Sequence, residues 1–421
     1  MEKKSKALDL TIIGSGMIVR DLLLPAAYQL QREGVLNDIS IVDMRKEALQ
    51  ELKDDSEIKN AFPGQTFTAC PDINEDGVID GDYYKQILAK KAPYGLVIVA
   101  LPDHIHYTVI NGALDYNQHI LSVKPLVLSY EQSIEIEKKA YEKGCFIGVE
   151  YHKRFDRRSL LAKKHYQEGD LGEFVMGEAK MIEPYFYRHS NFQNWFTCEN
   201  TDPFVYVGCH YVDLTYFITG LKPVEVSVSG VKGKFPNNNE GYMWTNGRVR
   251  FENGAILSVT DGLGYPDESA GSNDQCLNMY FEGDNKGGVL RHNDQFRGVE
   301  YGFTKNQEKP FQYVNPDFYR LVPFEEEGLK PVGYGFDSVA ATLRTASKLE
   351  GEIESASNID SMKVRRKCIE DVNERGLIAT PKNSAINELV QEAARLSILS
   401  DGDVAVIEYG NNPHVYLRHK K

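Results

Sequence analysis

The chain of 421 residues is too long for one ordinary hydrophobic core, and at about 150 residues per domain it implies two or three domains. It is 42% hydrophobic and 26% charged, with 35 Gly and 17 Pro dispersed along its length, which excludes disordered and collagen-like readings. With 61 acidic against 48 basic side chains the formal charge is -13, which argues against nucleic acid or a membrane surface as a partner.

Met1 to Ala7 is basic, and the apolar stretch that follows stops at Gly14, too short for a secretory signal or a spanning helix. A cytoplasmic protein is expected. From Leu8 to about Val149, short β-branched runs (Leu8 to Ile13, Ile39 to Val42, Gly95 to Leu101, Ile120 to Val123, Phe146 to Val149) alternate with amphipathic stretches such as Glu131 to Lys143. That alternation predicts a doubly wound parallel sheet covered by helices over residues 1–150.

Gly14-Ser15-Gly16 follows the first run and opens a helical stretch through Met17 and Ile18. The first glycine permits a tight turn, the second lets backbone approach a pyrophosphate, and the helix N-terminus supplies oriented N–H donors. Val19 stands where the full fingerprint has a third small residue. Asp43 closes the second run, where a carboxylate accepts from both ribose hydroxyls and repels a 2'-phosphate, so NAD is preferred; Arg45, two residues on, keeps NADP open. Further along, Asp72 to Asp80 has the oxygen spacing and glycine of a calcium loop, but Tyr83 occupies its twelfth position and no helix pair flanks it. It reads as an acidic surface insertion, and no metal site is expected. Lys124-Pro125 closes the run Ile120 to Val123, at the sheet edge where such folds bind ligands. A lysine there can donate to a reacting oxygen beside a nicotinamide.

After Glu150 a helix (Ser159 to Glu168) precedes alternating runs at Gly177 to Glu183, Val224 to Val231, Thr245 to Phe251, Ala255 to Thr260 and Leu277 to Phe281, with Gly and Asn turns between them. These predict an α+β domain over 151–334 with a mostly antiparallel sheet. Asp337 to Leu349 and Ser384 to Leu399 read as helices of a C-terminal helical segment, 335–421, that packs back on both domains. The six cysteines (Cys70, Cys145, Cys198, Cys209, Cys276, Cys368) are dispersed, without a Cys-x-x-Cys pair, and read as buried thiols.

Between Glu183 and Phe217 stand eleven aromatics in 35 residues, among them Tyr185, Trp195 and Tyr206, with Asn191 and Asn194 beside them. Flat rings suit the C–H faces of a sugar and the polar neighbours its hydroxyl rim, although each ring has an equal claim to be core or subunit interface.

The Gly14 to Asp43 fingerprint, Pro102 with His106, Lys124-Pro125, Tyr151 to Phe155 and Gly208-Cys209-His210-Tyr211-Val212-Asp213 together resemble the Gfo/Idh/MocA oxidoreductases over about residues 8 to 350. The resemblance implies a Rossmann domain plus an open-faced sheet domain, with the active site where the nicotinamide meets that sheet. It implies that Lys124 touches cofactor and substrate hydroxyl, that His210 takes the hydroxyl proton, that Leu101, Pro102 and His106 form a cofactor loop, and that His152 lies near the nicotinamide ribose. Two departures stand out. Val123 replaces the family's glutamate before the lysine, and Tyr206 stands where an aspartate often orients the histidine; Asp213, one turn after His210, is positioned to take that role. A homo-oligomer is expected by the same analogy.

The resulting expectation is an NAD-dependent oxidoreductase that moves a hydride between nicotinamide and a secondary hydroxyl of a sugar, glycoside or cyclitol, with the 3-hydroxyl of a glucoside as the specific guess. Tyr185, Trp195, Tyr206 and Asp213 join Lys124 and His210 as substrate contacts. The rival readings are a glycosidase that retains NAD through a redox-neutral turnover and a non-catalytic cofactor-binding regulator.

Overall fold

The computed structural model describes all residues except 1–4, 74–79, 270–272, 284–285, 294–301, 304–311, 314–316, 325–327, 357–358 and 421. The chain divides into two compact units: Met1–Val127, Glu131–Phe155 and Pro316–Asn383 form the first, and Leu128–Tyr130, Asp156–Asn315 and Ser384–Lys421 the second.

The first unit is built on strands β1 (Leu8–Ile13), β2 (Leu36–Val42), β3 (Thr68–Cys70), β4 (Leu96–Val99), β5 (His119–Val123) and β6 (Ile147–Glu150). They form one parallel sheet in the order β3-β2-β1-β4-β5-β6. Helices α1 (Leu24–Arg32), α2 (Lys46–Asp54), α3 (Ser56–Ala61), α4 (Tyr83–Leu88), α5 (His106–Asp115) and α6 (Tyr130–Lys143) connect them. Strands such as Leu96–Val99 are apolar at every position because helices cover both sheet faces. The order reverses between β1 and β4, which opens a crevice at their carboxyl ends.

In the second unit, α7 (Arg157–Gln167) precedes β7 (Glu173–Pro184), α8 (Cys209–Thr219), β8 (Pro223–Lys234), β9 (Glu240–Phe251), β10 (Ile256–Tyr265), β11 (Asp274–Gly283) and β12 (Lys286–Asn293). Two small hairpins follow, β13 (Gly302–Phe303) with β14 (Gln312–Tyr313) in the second unit and β15 (Arg320–Pro323) with β16 (Leu329–Val332) in the first. The large sheet runs β12-β11-β7-β10-β9-β8-β17-β18, with β7 and β10 parallel and the other pairs antiparallel. Burial alternates along β9: Thr245, Gly247, Val249 and Phe251 face inward, while Asn246, Arg248 and Arg250 face water.

The C-terminal segment differs from the expected helical tail. Helices α9 (Tyr334–Ser355) and α10 (Ser361–Arg375) belong to the first unit, and Phe336, Val339, Ala340, Leu343 and Ala346 of α9 lie in its core. Helix α11 (Ile386–Ile398) and strands β17 (Ala405–Glu408) and β18 (His414–Leu417) belong to the second, where the strands extend the sheet beyond β8. Four-residue strands around an Asn-Asn-Pro turn carry too little periodicity to register as a hairpin. The border between the units falls after Phe155, five residues beyond the expected one. Cys70, Cys145 and Cys209 are buried and the other three cysteines half-buried, all of them free thiols.

Candidate functional site

The first unit carries its candidate residues along the carboxyl edge of the parallel sheet. Gly14 follows β1 with φ 105°, and a Cβ there would lie 2.2 Å from the Ala100 carbonyl oxygen just after β4, so this turn accepts only glycine. At Gly16 a Cβ would meet nothing within 4 Å; its backbone borders open space, the approach a diphosphate needs. Half-buried Met17 and exposed Ile18 start the helix, which widens into π turns over Val19–Leu23 before continuing as α1. Val19 is fully buried in the unit's core. A valine needs more room between helix and sheet than a small residue does, and the helix widens where it stands.

Asp43 is bound into this loop by a residue the sequence reading passed over. Its Oδ2 accepts from the Ser15 N–H (2.9 Å) and the Ser15 hydroxyl (2.6 Å), and its Oδ1 accepts from the Arg45 N–H (2.8 Å) with the Arg45 Nε at 3.6 Å. Carboxylate and guanidinium thus stand together where the ribose is expected, and they favour opposite cofactors.

Leu101 and Pro102 are half-buried after β4. His106 is fully buried, with Nε2 2.8 Å from the Leu101 carbonyl and Nδ1 2.8 Å from the Pro125 carbonyl. Both ring nitrogens of His106 face backbone carbonyls, and the ring ties the loop after β4 to the Lys124-Pro125 turn from within. Lys124, half-buried, directly follows β5. On the neighbouring strand, Glu150 ends β6 in register with Val123. Its Oε2 accepts from His152 Nδ1 at 3.0 Å, and the His152 ring packs on Tyr334 (centroids 5.7 Å apart, 22°) and Phe318 (5.1 Å). Glu150 was not foreseen as a site residue. The signal existed: like Lys124, it is a charge closing an apolar parallel strand.

The second unit assembles its candidates from dispersed segments. His210 is buried as the second residue of α8, directly after a π turn over Phe204–Gly208. A Cβ on Gly208 would lie 2.5 Å from Asp261 Oδ2, so the buried carboxylate of Asp261, on β10, packs against the backbone two residues before His210. Asp213, one turn after His210, is buried, and its Oδ1 accepts from Asn387 Nδ2 of α11 at 2.8 Å. Neither Asp261 nor Asn387 could be found from sequence, since each lies far along the chain from His210 and belongs to no motif.

The aromatic strip condenses around Tyr206. Its ring meets Phe192 (5.1 Å, 88°), Phe196 (5.5 Å, 86°) and Trp195 (5.8 Å, 67°), all edge to face, while Phe192 and Phe196 are buried. Asn237 and Asn239 donate to the Gln193 carbonyl and hold the Asn191–Asn194 turn in place. Trp195 and Tyr206 are thus brought together. Tyr185 is exposed, with Arg188 over its ring (4.6 Å) and His189 beside it (5.9 Å).

Positions 74–79 of the acidic insertion lie outside the described residues. Among the described residues one group could hold a metal ion, His165, Glu168 and Asp170, all exposed at the end of α7. No described helix is long and apolar enough to cross a membrane.

Comparison with known proteins covers both units. A profile of an oxidoreductase family with an NAD-binding Rossmann fold matches residues 8–151, and a Gfo/Idh/MocA C-terminal domain profile matches residues 159–280. A scyllo-inositol 2-dehydrogenase (NADP(+)) of Bacillus subtilis is 27% identical over 128 residues, 30% of this chain and 35% of that protein. A D-glucoside 3-dehydrogenase of Escherichia coli is 22% identical over 215 residues, 46% of this chain and 58% of that protein. The chain spans less than two thirds of the length of the curated relatives it matches. Among solved structures, GenD2 from gentamicin A biosynthesis in complex with NAD has a TM-score of 0.65 at 14% identity, covering 96% of this chain and 97% of its own. A myo-inositol 2-dehydrogenase from Lactobacillus plantarum has a TM-score of 0.61 at 15% identity, covering 96% and 100%. At these identities the structural matches establish the fold.

Proposed function

The chain belongs to the Gfo/Idh/MocA oxidoreductases, and we propose that it transfers a hydride between NAD and a secondary hydroxyl of a sugar, glycoside or cyclitol, with the 3-hydroxyl of a glucoside as the specific target. The observation that carries this reading is the composition of one stretch of the second unit: Tyr206, whose ring sits in the cluster with Trp195, stands four residues, one helical turn, before the imidazole of His210. A proton acceptor and a stacking surface on one piece of chain suit a polyhydroxylated ring. Relatives that act on a glucoside and on an inositol support the substrate class.

The residues of the first unit fit a dinucleotide: Gly14, Gly16, Met17 and Ile18 for the diphosphate, Asp43 and Arg45 for the adenosine ribose, Leu101 and Pro102 beside the base and ring, and Lys124 and His152 at the nicotinamide end. When bound, the nicotinamide supplies the hydride acceptor. Lys124 positions the reacting hydroxyl through its ammonium, and His210 receives the hydroxyl proton as the carbon gives up its hydride. Asp213, held by Asn387, keeps a carboxylate one turn from that imidazole. A homo-oligomer forms through the outer face of the large sheet, where Val289, Tyr280, Met176 and Ile256 make a row of register neighbours across four strands, the first three of them exposed.

The test is a panel of glycosides and inositols incubated with NAD. We expect NADH to form with at least one glycoside and Lys124→Ala to lower kcat about a hundredfold or more. A panel left unchanged, with Lys124→Ala indistinguishable from wild type, overturns the reading. Release of sugar without NADH build-up would instead identify a redox-neutral glycosidase.

A further inference from the structure

Glu150 is a buried carboxylate at the ligand edge of a parallel sheet, a costly place for a negative charge unless what it faces compensates it. It ends β6 beside the strand end that carries Lys124. One oxygen accepts from His152 Nδ1; the other, Oε1, is buried and takes no hydrogen bond from any described residue. The His152 ring packs against Phe318 and Tyr334, so the pair is a fixed feature of this edge. A solvated ion pair would have neither the burial nor the aromatic packing.

The oxidised nicotinamide ring carries a positive charge and the reduced ring carries none. A fixed negative charge at this edge stabilises the cation more than the neutral ring, and burial strengthens the difference. Lys124, on the adjacent strand end, acts in the opposite direction. We propose that the Glu150–His152 pair biases the first unit toward the oxidised dinucleotide, offsetting Lys124 and keeping the site loaded with the hydride acceptor when both redox forms are present. Glu150 is thereby a specificity-determining residue for the redox state of the cofactor. This rests on the reading that the first unit binds a nicotinamide dinucleotide.

The experiment is equilibrium titration of the full chain with NAD and, separately, with NADH, for wild type and Glu150→Gln. Glutamine keeps the size and an acceptor for His152 and removes the charge. The ratio of the NADH Kd to the NAD Kd is expected to fall about three- to tenfold in the variant. Glu150→Met, an apolar near-isostere that needs no polar partner when buried, carries the same expectation and covers a glutamine variant that does not fold. An unchanged ratio overturns the inference, as does an equal loss of both affinities, which is what a purely structural role would produce. Binding of neither form by the wild type overturns the nicotinamide reading itself, and the inference with it.

Discussion

In the first unit, Gly14, Lys124 and Glu150 each stand at or just beyond the end of a parallel strand, so sheet order alone lines them up on one edge. In the second, His210, Trp195 and Asp261 come from a helix, a short turn and the interior of a strand, and side-chain packing does the assembling. The candidate residues of the first unit are therefore most vulnerable to changes of backbone. Those of the second are most vulnerable to loss of particular side chains.

The sharpest way to break that contrast is one substitution in the second unit set against two in the first. Phe192 is buried and its ring touches Tyr187, Trp195, Phe196 and Tyr206, so Phe192→Ala should cost about 3–5 kcal/mol and lower the melting temperature. Gly14→Ala forces a side chain into φ 105° against the Ala100 carbonyl; the strain is about 1–3 kcal/mol, but relieving it moves the loop, and dinucleotide binding should be lost. Gly16→Ala, with no clash at its Cβ, should keep the wild-type melting temperature and lose only affinity. Calorimetric melts and dinucleotide titrations on the three variants decide it. A Phe192→Ala protein as stable as wild type, or a Gly14→Ala protein that binds normally, would erase the distinction.

A smaller effect tests whether the units answer alike to acid. Each buries a carboxylate clasped by an arginine and a histidine: Glu350 of α9 by Arg365 (2.8 and 2.6 Å) and His119 (3.1 Å) in the first, and Asp156, which caps α7, by Arg158 and His292 (3.2 Å) in the second. Burial alone would push both carboxyls up, but the bonds and charges of the histidine and arginine outweigh it and hold both below the ordinary carboxylate range. A carboxylate depressed in the folded state stabilises the fold fully above its unfolded pKa of about 4 and loses that contribution as pH falls through the folded value. Melts between neutral pH and about pH 3 should therefore show a steep acid limb, shallower in Glu350→Gln and in Asp156→Asn. An acid limb unchanged in both variants would remove the clasps as its cause.

Legibility from sequence follows the same division. Gly14, Asp43 and Lys124 could be placed because parallel strands announce themselves as apolar runs and their carboxyl ends bind ligands whatever the side chains. Glu150 closes the run Phe146 to Val149 as Lys124 closes its own, and the same rule would have found it. His210 was identified only through a motif, since a histidine on an apolar helix has no periodicity to mark it. Asp261 sits within an alternating strand at an inward position, and Asn387 is reached from α8 only through the fold, so neither leaves a local trace. Strand β3, three residues long, and the β17–β18 hairpin fell below the length at which alternation is readable.

The smallest expected effect lies at Arg45, where the contrast between the units should fail. Its side chain is about half exposed, and its Nε stands 3.6 Å from Asp43 Oδ1, so the ion pair itself contributes about 0–1 kcal/mol. Asp43 is held by Ser15 and by the Arg45 backbone N–H, none of which a side-chain truncation removes. Arg45→Ala should therefore leave stability within about 0.5 kcal/mol of wild type. Cofactor choice is another matter: a 2'-phosphate beside Asp43 has Arg45 as its neighbouring cation, whereas a 2'-hydroxyl needs only the carboxylate. Arg45→Ala is expected to weaken NADP binding about fivefold, worth about 1 kcal/mol, and to change NAD binding less than twofold. Parallel titrations with the two dinucleotides measure this. Equal shifts in both would remove the Arg45 side chain as a selector; a selective loss of NADP makes that side chain, and not the end of a strand, what sets the choice between the two dinucleotides.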